Sequence, residues 1–159
     1  MCCSKSWTMI GGLLAALGVG LGAYAAHGLD EYLLKKYGEE TREVAGQTVP
    51  AAQKYLTDFR TGVTYQMYHA LGLIAVGLLS QTRASKLLGV AAWCFVLGIL
   101  LFSGALYVIA LCGPQAGGIR WGLVAPFGGV AYIIGWLAFA IAACPCGQTK
   151  TEPSTLPIN

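Results

Sequence analysis

Charge is what this sequence has least of. Asp, Glu, Lys and Arg together make up 11% of its 159 residues, well under the roughly one quarter usual in soluble domains. None of them falls in four long stretches at 7–26, 62–80, 87–111 and 121–143. The ten basic residues are scattered among seven acidic ones. They form no stripe that would neutralise a phosphate backbone, so nucleic acid is excluded as a partner. Histidine is nearly as scarce, at two. There is no H-E-x-x-H, no carboxylate inside the apolar stretches, and no Ser-His-Asp arrangement. These absences argue against an intramembrane enzyme, and no catalytic residue is assigned. The single substantial polar segment, 29–61, leaves no room for a separate soluble domain.

What is abundant is apolar length. A hydrocarbon core about 30 Å thick needs about 20 helical residues, because backbone amides in lipid must be satisfied within the helix. Each of the four stretches meets that need. The expected fold is an all-α integral membrane protein, a bundle of four transmembrane helices forming one domain over 1–146, with a disordered tail at 147–159. Its direct surroundings are a lipid bilayer, in a bacterial inner membrane or an organelle membrane such as the mitochondrial inner membrane. The first stretch also has features of a secretory signal: Lys5, an apolar run, then Ala23-Tyr24-Ala25 as a cleavage site. Its length and its glycines favour a retained span.

Within 29–61, Leu29, Tyr32, Leu33 and Tyr37 follow helical spacing, as do Ala52, Tyr55, Leu56 and Phe59 after Pro50. Two short interfacial amphipathic helices are expected between the first and second spans, separated by a turn at 46–50. The loops at 81–86 and 112–120 are short, so consecutive spans are antiparallel. An even number of spans places both termini with Arg83 and Lys86. Lys35, Lys36, Arg42, Lys54, Arg60 and Arg120 lie on the other side, a small basic excess there.

Small residues do much of the packing between helices in lipid. Gly11, Ala15, Gly18 and Gly22 line one face of the first span, and Gly18 with Gly22 makes a GxxxG pair. That face serves packing within the bundle or a homodimer. Gly98, Gly104, Gly128, Gly129 and Gly135 offer close approach on the third and fourth spans. Tyr65, Gln66 and His69 form a polar stripe on the second span, and Ser103 and Tyr107 another on the third. Such stripes face a bundle interior. Together with His27, which antiparallel pairing puts toward the same membrane face as His69, they are the candidate polar site. The run Pro126-Phe127-Gly128-Gly129 is a candidate helix break. Of six cysteines, Cys94 and Cys112 belong to the third span, while Cys2, Cys3, Cys144 and Cys146 share one side. Their spacing is not that of a zinc site, and no cofactor or metal is assigned. Two histidines are the minimum for bis-histidine haem ligation, but their depths along the helices differ.

The segments Gly22-Ala23-Tyr24-Ala25-Ala26-His27-Gly28-Leu29, Tyr65-Gln66-Met67-Tyr68-His69-Ala70-Leu71, Leu101-Phe102-Ser103-Gly104-Ala105-Leu106-Tyr107 and Ala125-Pro126-Phe127-Gly128-Gly129, with Gly135-Trp136, stand in this order. They resemble the motifs of the small membrane-protein family catalogued as domain of unknown function 423, which has a vertebrate relative in transmembrane protein 256. The resemblance covers roughly 8–143 and implies a membrane protein without an established reaction. It also implies that the first span is retained, since the His27 motif straddles the signal-like cut. The stretch near 38–50 looks longer than the family's usual first loop. Two functions follow as expectations: a non-enzymatic accessory or assembly subunit of a larger membrane complex or homo-oligomer, or passage of a small solute or protons through an oligomeric bundle lined by His27, Gln66, His69, Ser103 and Tyr107.

Overall fold

Helices of hydrocarbon length occupy all four apolar stretches in the computed structural model, which describes residues 2–144, with side chains from Ser6 onward. In chain order they are α1 (Cys2–His27), α2 (Leu29–Tyr37), a hairpin of β1 (Thr41–Val44) and β2 (Gln47–Pro50), and α3 (Ala51–Leu79). There follow α4 (Lys86–Gly98), a π-helical turn (Ile99–Ser103), α5 (Gly104–Cys112), a short 3-10 turn (Ala116–Gly118) and α6 (Trp121–Ala143). The chain is therefore an integral membrane protein with four spans, the third being the continuous rod α4, π turn and α5. The tail at 147–159, Cys146 and the side chains of Cys2 and Cys3 lie outside the described residues.

Two expectations for the segment after α1 need correction. The second interfacial helix does not exist as a separate element, because 51–61 are the first turns of α3. Ala52, Tyr55, Phe59, Gly62, Gln66, His69, Leu73 and Val76 recur at alternating steps of three and four and are all buried. That is one continuous face of one helix, with no residue between Ala51 and Leu79 that breaks it. At about 1.5 Å per residue α3 is roughly 43 Å long, so its charged first turns, holding the Lys54–Asp58 ion pair, extend beyond a 30 Å core. The expected turn at 46–50 is in fact the second strand of an antiparallel hairpin, with Arg42 opposite Val49 and Val44 opposite Gln47. Its two central residues, Ala45 and Gly46, have φ of +50° and +78°, the paired left-handed conformation of a two-residue hairpin turn.

The helix at Leu29–Tyr37 forms where expected. Asp30 and Glu31 in its first turn and Lys35 and Lys36 in its last complement the helix dipole. Its apolar face, Leu29, Leu33 and Tyr37, packs with Tyr55, Phe59, Ile109 and Ala110, so α2 closes one end of the bundle. The Tyr37 hydroxyl donates toward the carbonyls of Ala110 at 3.3 Å and Ile109 at 3.5 Å. Tyr32 and Lys36 donate to the carbonyl of Leu111. These bonds satisfy the last carbonyls of α5, which the helix itself leaves open. At the opposite end Arg83 donates to the carbonyls of Ala143 and Cys144 at the close of α6.

The interior is layered along the membrane normal. One apolar cluster joins α2, the start of α3 and the end of α5. A second, with Leu73, Val76, Leu88, Ala91, Ala92 and Phe95, joins α3, α4 and α6. Between them lie the buried polar side chains among the described residues, Gln66, His69 and Ser103.

Candidate functional site

The polar layer is assembled from every span. α1 runs antiparallel to α3, and Gly11, Gly18 and Gly22 face it. A methyl group on Gly11 would sit 2.7 Å from the Ala70 carbonyl oxygen, whereas Gly18 and Gly22 have side chains of Met67, Gln66 and Val63 at ordinary distance. This close approach brings the carbonyl of Leu14 within 2.9 Å of Gln66 Nε2, which donates to it. Gln66 Oε1 in turn accepts from the Tyr107 hydroxyl at 3.0 Å. One amide side chain thereby links α1, α3 and α5 at a depth where no water competes.

His69, one turn further along α3 and 3% exposed, links α3 to α6. Its Nδ1 lies 2.6 Å from the Tyr65 carbonyl oxygen, and Trp136 Nε1 donates to its Nε2 at 3.1 Å. A carbonyl only accepts and an indole N–H only donates. The two bonds therefore coexist only in the neutral ring with its hydrogen on Nδ1. A second ring proton would point N–H against N–H. The imidazole also lies flat on the Tyr132 ring, with centroids 3.3 Å apart and planes 10° apart.

Ser103 is the last residue of the π turn, and its hydroxyl pairs with that of Tyr132 at 3.3 Å. The π turn adds a residue to one helical turn and sets Phe102 beside Tyr65, with centroids 4.8 Å apart. Opposite it, α6 approaches so closely that a methyl group on Gly128 would lie 2.4 Å from the Phe102 backbone nitrogen. Beside this contact lies a cleft of about 750 Å³, walled by Tyr65, Phe102, Tyr132 and Trp136, with His69 among its lining.

The structure divides the expected site. Gln66 with Tyr107, and His69 with Ser103, belong to one layer but to different bonds, and Tyr65 stands at the cleft, 40% exposed. His27 is not part of it. It is exposed at the end of α1, and the packing of Gly22 against Val63 places it about 16 Å along the axis from His69 at 1.5 Å per residue. The expected helix break is also corrected: α6 passes through Pro126 without interruption. Proline there leaves out only one donor near the start of the helix. Gly128 is a packing contact, while Gly129 and Gly104 take no such part, Gly129 having nothing within 4 Å of a methyl position. Ala15 is half-buried on the α3-facing side of α1.

Tyr132 and Trp136 were missing from the expected site. Their spacing of four, on a span whose other polar side chain is Trp121 at its first residue, is the signal that would have found them. Cys94 is half-buried, and Cys112 and Cys144 are exposed. Among the described residues no three His, Cys, Asp or Glu side chains group as metal ligands. Ser103 faces a phenol and not a base, so the layer holds cross-helix bonds and no nucleophile with its activator.

Comparison with known proteins agrees with the membrane architecture. The model of the protein family of unknown function DUF423 matches residues 21–129. A UPF0382 membrane protein of Staphylococcus epidermidis is 37% identical over 138 residues, covering 87% of this chain and 94% of the relative. The UPF0382 membrane protein YwdK of Bacillus subtilis is 38% identical over 144 residues, covering 87% and 96%. One from Haemophilus influenzae is 35% identical over 122 residues, covering 77% and 80%. No solved structure matches.

Proposed function

We propose that this chain, which belongs to the DUF423 family of membrane proteins, works as a non-enzymatic accessory subunit that docks another transmembrane helix. The observation that carries this reading is the outer face of α1. Gly12, Ala16 and Gly20 recur there at steps of four, all exposed, and a methyl group on Gly12 or Gly20 would meet nothing within 4 Å. The opposite face of α1 already uses Gly11, Gly18 and Gly22 against α3. A second small-residue stripe on the same helix is a surface on which a partner backbone can approach closely.

Passage of protons or a small solute through the bundle has less support. A conduit needs polar groups free to exchange partners along a path. Gln66, His69 and Ser103 are instead held in cross-helix bonds, and His27 lies apart from them. Purification in several mild detergents, with mass spectrometry of what co-purifies, tests the accessory role. A membrane protein retained in fixed ratio, and lost with Gly12→Leu plus Gly20→Leu, is the expected result. The chain recovered alone as a monomer under every condition would remove the reading.

A further inference from the structure

The cleft between α3 and α6 opens sideways, at mid-span. Tyr132 stands at the midpoint of α6, and Tyr68, Leu71, Val130 and Ile133 at the rim are each more than half exposed. Around them in the membrane is hydrocarbon. Three tyrosines line this cleft: the Tyr132 hydroxyl pairs with Ser103, while those of Tyr65 and Tyr68 hydrogen-bond to no described residue. A donor left without an acceptor in hydrocarbon is costly, because no water reaches it. A guest drawn from the bilayer would satisfy both.

Three features select the chemistry of that guest. Depth excludes a charged headgroup, which is expensive to hold at mid-membrane. The walls are rings, with Phe102 delivered by the π turn, and favour a flat guest that stacks or meets them edge to face. The free hydroxyls call for acceptor oxygens. We propose that the cleft binds an uncharged, lipid-dissolved ring molecule bearing carbonyl oxygens, of the alkylated quinone type. Its ring lies against the aromatic wall, its carbonyl oxygens accept from Tyr65 and Tyr68, and its tail leaves through the lateral mouth. The volume of about 750 Å³ suits one such ring and the start of a tail. Binding alone is proposed, with no electron transfer. The inference goes beyond the accessory role and involves a different face, so either can fail without the other.

The test uses the full chain in nanodiscs of neutral phospholipid, photolabelled with an azido derivative of a decyl-substituted benzoquinone and analysed by peptide mapping. Saturable labelling of the cleft segments of α3 and α6 is expected, competed by the unmodified quinone and not by cholesterol or diacylglycerol. Ile133→Trp, at the rim, should weaken it about tenfold by filling the mouth. Tyr65→Phe with Tyr68→Phe keeps both rings and should weaken it about three- to tenfold through lost hydrogen bonds. Val130→Phe serves the same purpose should Ile133→Trp lower the melting temperature. Labelling that does not saturate, that spreads equally over the outer face of α1, that is unchanged by the rim variants, or that cholesterol or diacylglycerol competes equally would overturn the proposal.

Discussion

The indole N–H of Trp136 donates to Nε2 of His69 at 3.1 Å and thereby fixes which imidazole nitrogen carries the hydrogen. Nδ1 is committed to the Tyr65 carbonyl, so both ring nitrogens are used and α3 is tied to α6. The same residue pair gives a histidine in the polar layer a hydrogen-bond partner at each ring nitrogen.

Nitrogen-15 NMR of His69 in the detergent-solubilised protein should show the neutral ring protonated on Nδ1, the less common tautomer in free histidine. Trp136→Phe removes the donor and leaves Nε2 unpaired. The expected cost is about 1 kcal/mol of stability, with tautomer mixing in the spectrum. A spectrum dominated by the Nε2-protonated form would contradict the geometry.

Gln66 and Tyr107 should be coupled. Gln66→Leu and Tyr107→Phe each remove one side of the 3.0 Å bond. A double-mutant cycle by thermal or denaturant unfolding should return an interaction of about 0.6–1.7 kcal/mol, the range of polar pairs between membrane helices. Strict additivity would mean that the bond contributes nothing.

Glycine substitutions should separate by face. Gly128→Ala forces α6 away from the Phe102 backbone, at an expected cost of about 1–3 kcal/mol from overpacking. Gly12→Ala faces open space and should leave the isolated chain as stable as before, or slightly more so through helix propensity. Melting temperatures in one detergent decide between the two.

Alkaline stability should report on Tyr37. Burial first, then the neighbouring Tyr55, Tyr32 and Glu40, raise its phenol above the ordinary value of 10.0. The folded state thus holds this proton more tightly than the unfolded chain. The stabilisation is fully present below about pH 10 and is lost as pH rises through the folded value. Tyr37→Phe should weaken the protein at neutral pH, through the lost carbonyl bonds, and flatten the fall in stability above about pH 10. An unchanged alkaline slope in the variant would contradict the assignment.

The four spans were legible because lipid imposes a length and an absence of charge that sequence displays directly. The polar layer was legible in part, since Gln66, His69, Ser103 and Tyr107 are conspicuous in apolar helices. Their pairing was not, because it depends on how α1 rotates against α3 and α6 against the third span, which the packing at Gly11 and Gly128 determines. The continuity of α3 was written in the steps from Ala52 to Val76, but the charges at Lys54, Asp58 and Arg60 masked it. The hairpin turn was hidden by Ala45, a residue seldom used at positive φ. The π turn has no marker in Ile99-Leu100-Leu101-Phe102-Ser103. It is a register shift that tertiary packing stabilises.

The accessory role turns on whether another protein lies against the outer face of α1 in the native membrane. A photo-crosslinking residue at Ala16, between Gly12 and Gly20, tests this most directly, with the exposed Leu137 on α6 as the comparison position. One discrete adduct with another membrane protein from Ala16, and only lipid adducts from Leu137, is the predicted result. Lipid adducts alone from both positions would contradict it.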